Sequence, residues 1–188
     1  MKKKVILSNT GFLPDTPDYL IKKANQYLVP ILNSQSHSLG DKLQAIYSYL
    51  DEFNKFIGKY ASCSKNCSHC CKMDVQITAL EAEYIQMNTN KQMDYSATPF
   101  TTGHRNSCPF LENDGACGIY NFRPIPCRIF HAFGDPKNCV HGKVQFQYGS
   151  QETGYGNPIF QKLVTWVHAS VTKEGGCMRD IRDFFPKQ

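Results

Sequence analysis

The chain has 188 residues, of which 41% are hydrophobic, 12% aromatic and 20% charged, with a formal net charge of +5. This is long and apolar enough to build one packed domain and excludes a wholly disordered chain. The modest positive charge forms no basic stripe, so it gives no case for nucleic acid, and no segment approaches the roughly 18–20 apolar residues of a membrane span.

The N-terminus runs from Met1 to Lys4 and then Val5-Ile6-Leu7. That apolar run is far short of the roughly 7–15 residues of a secretory h-region, so a cytoplasmic location is expected. Thr16-Pro17 reads as an N-cap followed by proline at the first helical position. Leu20, Ile21, Ala24, Tyr27, Leu28, Ile31 and Leu32 then mark one helix face, and Pro30 is expected to kink or end the helix. A second pattern at Leu43, Ile46, Tyr47, Leu50, Phe53, Ile57 and Tyr60 is the clearest amphipathic helix of the chain. The two should pack as an antiparallel hairpin over 15–60.

Eight of the nine cysteines lie between Cys63 and Cys139, and four fall in the run Cys63-Ser-Lys-Asn-Cys67-Ser-His-Cys70-Cys71. Thr78-Ala-Leu-Glu81 is a capping box that opens a short helix through about Met87, and 88–104 reads as a loop. From Cys108 to Cys139 glycine and proline are frequent, so regular structure should be sparse, with a small hairpin around Gly115. Such a segment needs crosslinks to order itself, and metal can supply them. Asn157-Pro158 caps a last helix carrying Ile159, Phe160, Leu163, Val164, Trp166 and Val167. Gly175-Gly176 ends it, and Arg179 to Phe185 makes a final turn. The expected architecture is a single domain, 1–188, mainly α with a largely irregular cysteine-lined metal core at 63–139. The N-terminal hairpin and a C-terminal segment, 157–185, pack around that core.

In a reducing compartment a cysteine cluster serves metal or redox chemistry rather than structural disulfides. Zinc and iron–sulfur centres both take thiolates in closely spaced pairs. Cys67-x-x-Cys70 is such a pair and Cys63-x-x-x-Cys67 is another. Cys71, Cys108, Cys117, Cys127 and Cys139 extend the set. Adjacent side chains diverge, so Cys70 and Cys71 either serve different centres or one of them is no ligand. Eight thiols divide into two four-ligand sites or surround one cluster larger than a single ion. The spacing is compatible with an iron–sulfur cluster and with zinc.

Arg123 and Arg128 flank Cys127, where guanidinium groups would donate to thiolates or sulfides and offset negative charge; anchoring an anionic substrate is the alternative. Lys65, Lys72 and Arg105 read as solvated surface. His69, inside the CxxC turn, is expected to present an exposed ring, and His104 and His141 read as surface histidines. Cys177 reads as an ordinary residue outside the cluster. No GxSxG, HExxH, P-loop or dinucleotide-binding GxGxxG motif is present.

The cysteine pattern resembles the YkgJ-like CxxCxxCC family of zinc- or iron-chelating domains. The elements that carry the resemblance are Cys63 to Cys71, Cys108-Pro-Phe-Leu111, Cys117-Gly-Ile-Tyr120 and Arg123-Pro-Ile-Pro-Cys127-Arg-Ile-Phe130, with Cys139 later. The resemblance implies metal binding and a distant link to flagellin lysine methylases, hence redox or methyl-transfer-like modification of a protein substrate. Competing readings are a non-catalytic zinc-stabilised module that binds a protein partner, and metal storage, delivery or sensing. Two departures stand out. The first gap has three residues where the family has two, and His131 stands where proline is common. A surface or hydrogen-bonding role for His131 is ranked ahead of a ligand role.

Overall fold

The computed structural model describes residues 6–7, 11–12, 15–63, 66–96, 101–133, 139, 146–148 and 158–186. A short ribbon, β1 (Ile6–Leu7) with β2 (Gly11–Phe12), precedes the first helical stretch. That stretch runs from α1 (Asp18–Lys23) through a π turn (Ala24–Leu28) into α2 (Val29–Asn33). Its N-cap is Pro17 rather than Thr16. Pro30 does not end the helix, because the wide turn before it, closed by Val29 N–H to Ala24 O, carries the chain past it. The proline ring has no N–H and would crowd the carbonyl four residues back in a regular α-helix. Leu20, Ala24, Leu28 and Leu32 are buried, whereas Ile21 and Tyr27, expected on the same face, are 40% and 65% exposed. The wider turn keeps residues four apart in line and rotates the others out of the core.

Ser38 and Asp41 form a reciprocal capping box that starts α3 (Leu39–Ile57). The helix buries Leu43, Ile46, Tyr47, Leu50, Phe53 and Ile57, as its periodicity requires, and Tyr49 as well. Tyr60 lies beyond its end and is exposed. Lys23, early in the first helical stretch, pairs with Glu52, late in α3. An antiparallel hairpin brings these two positions together.

A 3-10 turn (His69–Lys72) leads into β3 (Gln76–Thr78) and α4 (Ala79–Asn88). Another 3-10 turn (Tyr120–Phe122) precedes the short α5 (Ile125–Ile129) and β4 (His131–Phe133), which pairs with β5 (Phe146–Tyr148). α6 (Pro158–Lys173) is followed by a turn at Gly175, whose φ is +73°. Asn157 lies outside the described residues. The chain then forms β6 (Met178–Asp180) and α7 (Ile181–Phe184), with β6 antiparallel to β3. These strands are two or three residues long, shorter than the alternation needed to read a strand from sequence, and none was expected.

Two apolar cores result. The first joins α1, α2, α3 and α6, with Phe53 and Phe160 edge to face at 4.7 Å. The second gathers Ile77, Ile85, Phe110, Ile119, Ile181 and Phe184, and Cys108 and Cys117 lean against it. The fold is mainly α with the cysteines clustered in its middle region, as expected. No helix among the described residues is long and apolar enough to cross a membrane.

Glu81 joins the helical frame to the cysteine segment. It is 2% exposed. Its Oε2 accepts from the Thr78 N–H and hydroxyl, both at 2.9 Å, completing the cap of α4. Its Oε1 accepts the first N–H of α5, from Ile125, at 2.7 Å. Glu81→Ala strips partners from buried donors at two helix starts and should destabilise the fold by about 2–4 kcal/mol. Denaturant unfolding checks this, and a loss below about 1 kcal/mol would contradict the dual capping role.

Candidate metal centre

All eight thiols from Cys63 to Cys139 line one cavity of about 240 Å³. Four stretches of chain bring them there. In the first, Asn66 adopts a left-handed conformation (φ +66°) just before Cys67, one that asparagine tolerates better than most residues. The 3-10 turn then presents Cys70 and Cys71. The second stretch is the hairpin expected around Gly115: Leu111 bridges Cys117, and Cys108 N–H bonds to Cys71 O at 2.7 Å. Gly115 turns it with φ +84°, and a Cβ there would stand 3.0 Å from Asn66 O. Any side chain would push the hairpin off the cysteine turn. The third stretch is α5, which carries Cys127, and the fourth places Cys139 at the wall. Cys63 is tethered to β4, its Sγ accepting from Ala132 N–H at 3.4 Å. Cys177 is exposed and takes no part in the wall. No cysteine is in a disulfide.

Burial pushes up the thiol pKa values of Cys63, Cys117, Cys127 and Cys139, and that of Cys108 to about 11. Cys70 is raised first by its neighbour Cys71 acting as a hydrogen-bond partner and then by burial. Cys70 and Cys71 therefore both reach the cavity close to one another, rather than diverging as adjacency suggested. The Arg123 charge opposes these shifts at Cys63, Cys70, Cys117 and Cys127. Arg123 lines the cavity, and its guanidinium lies over the Tyr120 ring at 3.7 Å.

Arg128 is placed differently. Its side chain is buried outside the cavity wall, over the Tyr47 ring at 4.2 Å. Its nitrogens donate to Asp51 and to the carbonyls of Arg123 and Asn121. It fastens α5 to α3 and does not face the thiols, because its position on α5 turns it toward the helical core. His131 is buried in β4 outside the wall, with Nδ1 3.1 Å from Ile129 O. Burial pushes it down to about 4. His69, expected to be exposed, is half-buried and lines the cavity. Lys72 and Arg105 are exposed. Lys65 and His141 lie outside the described residues.

Sequence reasoning missed Arg182. It is 8% exposed and donates to Cys71 O and Met73 O at 3.1 Å, Asn106 O at 2.9 Å and Asp180 at 2.9 Å. It thus holds the cysteine turn from behind. The only signal in the sequence was the charge-rich Arg179 to Asp183 stretch. His104 was also underrated: its Nδ1 lies 2.8 Å from Asp74, and its Nε2 lies 2.8 Å from Thr101 Oγ1. With Asp180 it brings three possible ligand atoms within 4.8 Å of one another. The carboxylates are already engaged, however: Asp74 by the N–H groups of Gly103 and His104, and Asp180 by those of Val75 and Arg182. The cluster braces loop 101–104 against β3 and β6.

A wider apolar groove of about 520 Å³, bordered by Leu28, Val29 and Trp166, opens between α1–α2 and α6, but no thiol lines it.

Residues 62–153 match the model of the CxxCxxCC family, described as a "putative zinc- or iron-chelating domain". No curated protein and no solved structure matches the chain, so the link to flagellin methylases has no support beyond the resemblance.

The raised thiol values set a pH dependence. A folded-state pKa above the ordinary 9.0 favours the protonated form, so that stabilisation is full below pH 9 and is lost as pH rises toward 11. The melting temperature of metal-free protein should therefore fall over that window. A flat or rising profile would contradict the buried thiols. Separately, Arg182→Gln should weaken metal retention by about 10–100-fold in chelator competition, whereas unchanged retention would exclude its positioning role.

Proposed function

Taking residues 62–153 as the CxxCxxCC domain that they match, we propose that the chain holds a multi-iron iron–sulfur cluster in the cysteine cavity and uses it in redox or protein-modifying chemistry. One observation carries this reading: eight thiols line a single cavity, twice the four that one zinc ion takes. Four sulfurs bound at about 2.3 Å to one zinc ion stand roughly 3.8 Å apart. Thiolates on different irons of a cluster span a wider wall. The donor set fits, since soft thiolates suit iron–sulfur clusters.

Cys63, Cys67, Cys70, Cys71, Cys108, Cys117, Cys127 and Cys139 are the candidate ligands. Arg123 offsets their negative charge, while Arg128 and Arg182 hold the backbone that presents them. When bound, such a cluster supplies one-electron chemistry at a potential set by charge, hydrogen bonds and exposure. Cys63 is exposed, whereas the other seven thiols of the wall are half-buried, so a protein partner or substrate would approach on the Cys63 side. Methyl transfer to a protein is the narrower form of this reading and rests on the family resemblance. A cytoplasmic setting, which keeps thiols reduced, accords with it.

Protein purified without oxygen should contain iron and acid-labile sulfide and absorb broadly in the visible. Colourless protein with stoichiometric zinc would instead identify a zinc-stabilised interaction module. Cys127→Ser should reduce metal content to below about a tenth and lower the melting temperature, while Cys177→Ser should change neither. Full metal content in Cys127→Ser would remove it from the ligand set.

A further inference from the structure

One ring nitrogen beside the cavity is left unsatisfied. His69, between Cys67 and Cys70, opens the 3-10 turn and is one of the residues that line the cavity. Its Nδ1 is buried and has no hydrogen-bond partner among the described residues. Leaving such an atom unpaired costs about 1–3 kcal/mol, and a buried group of this kind calls for a ligand.

Charge balance points the same way. Among the described residues of the wall, Arg123 is the only cationic side chain. A centre held by thiolates alone would accumulate negative charge that a single guanidinium offsets only in part. A neutral imidazole adds a donor without adding charge, and it suits both zinc and iron.

We propose that His69 is a ligand of the metal centre through Nδ1, giving it mixed sulfur and nitrogen coordination. This inference rests on the cavity being the metal site. An imidazole in place of a thiolate raises the potential of an iron–sulfur centre, so His69 would set the redox range as well as help hold the metal.

The test is pulsed electron resonance on the reduced protein, prepared without oxygen and carrying 15N-histidine. The wild type should show the coupling of a directly bonded nitrogen. That coupling should vanish in His69→Gln and persist in His131→Gln. His69→Cys should keep its metal, show no nitrogen coupling and have a lower potential. A wild-type cluster without bonded nitrogen, or a coupling that survives His69→Gln, overturns the proposal and leaves the metal site standing. If the metal is zinc, X-ray absorption at the zinc edge reads the same point, as nitrogen at about 2.0–2.1 Å beside sulfur at about 2.3 Å. Protein that binds no metal overturns both readings.

Discussion

The cysteine segment is irregular, and the backbone polar groups of irregular chain must be satisfied before it can be buried. Here three buried charged side chains do much of that. Glu81 accepts the first N–H of α5, Arg128 donates to the carbonyls of Arg123 and Asn121, and Arg182 donates to those of Cys71, Met73 and Asn106. Each reaches from a helical element to a stretch that presents thiols. Without them the loops would lack both ladder bonds and a core of their own.

This arrangement makes the thiol-bearing stretch depend on residues outside 62–153. Arg182 and Asp180 come from the C-terminal β6–α7 unit, yet they hold the turn that carries Cys70 and Cys71. Asp51 lies on α3 and anchors Arg128. The two apolar cores supply the rigid frame, and the buried charges transmit that rigidity to the thiols. A cavity shaped in this way presents its donors before any ligand arrives, which is what preorganised coordination requires.

Much of the frame was readable from local pattern. The α3 periodicity, the Thr78–Glu81 capping box and the Gly115 turn each depend on residues within a few positions of one another, and each formed where expected. The π turn was not readable, because it arises from fitting Pro30 into a helix already docked on α3. Nor was the β3–β6 pair, which joins residues about a hundred positions apart in three-residue strands. The eight cysteines could be grouped by spacing, but their gathering around one cavity, the turning away of Arg128 and the inward placement of His69 are tertiary facts. Arg182 was invisible for the same reason, since its carbonyl partners carry no side-chain signature.

The most direct test of the account is anomalous diffraction at the iron and zinc edges from crystals grown without oxygen. Iron density is expected inside the cavity, bonded to thiolates that include Cys127. Anomalous density at Asp74, His104 and Asp180 with an empty cysteine cavity would contradict it.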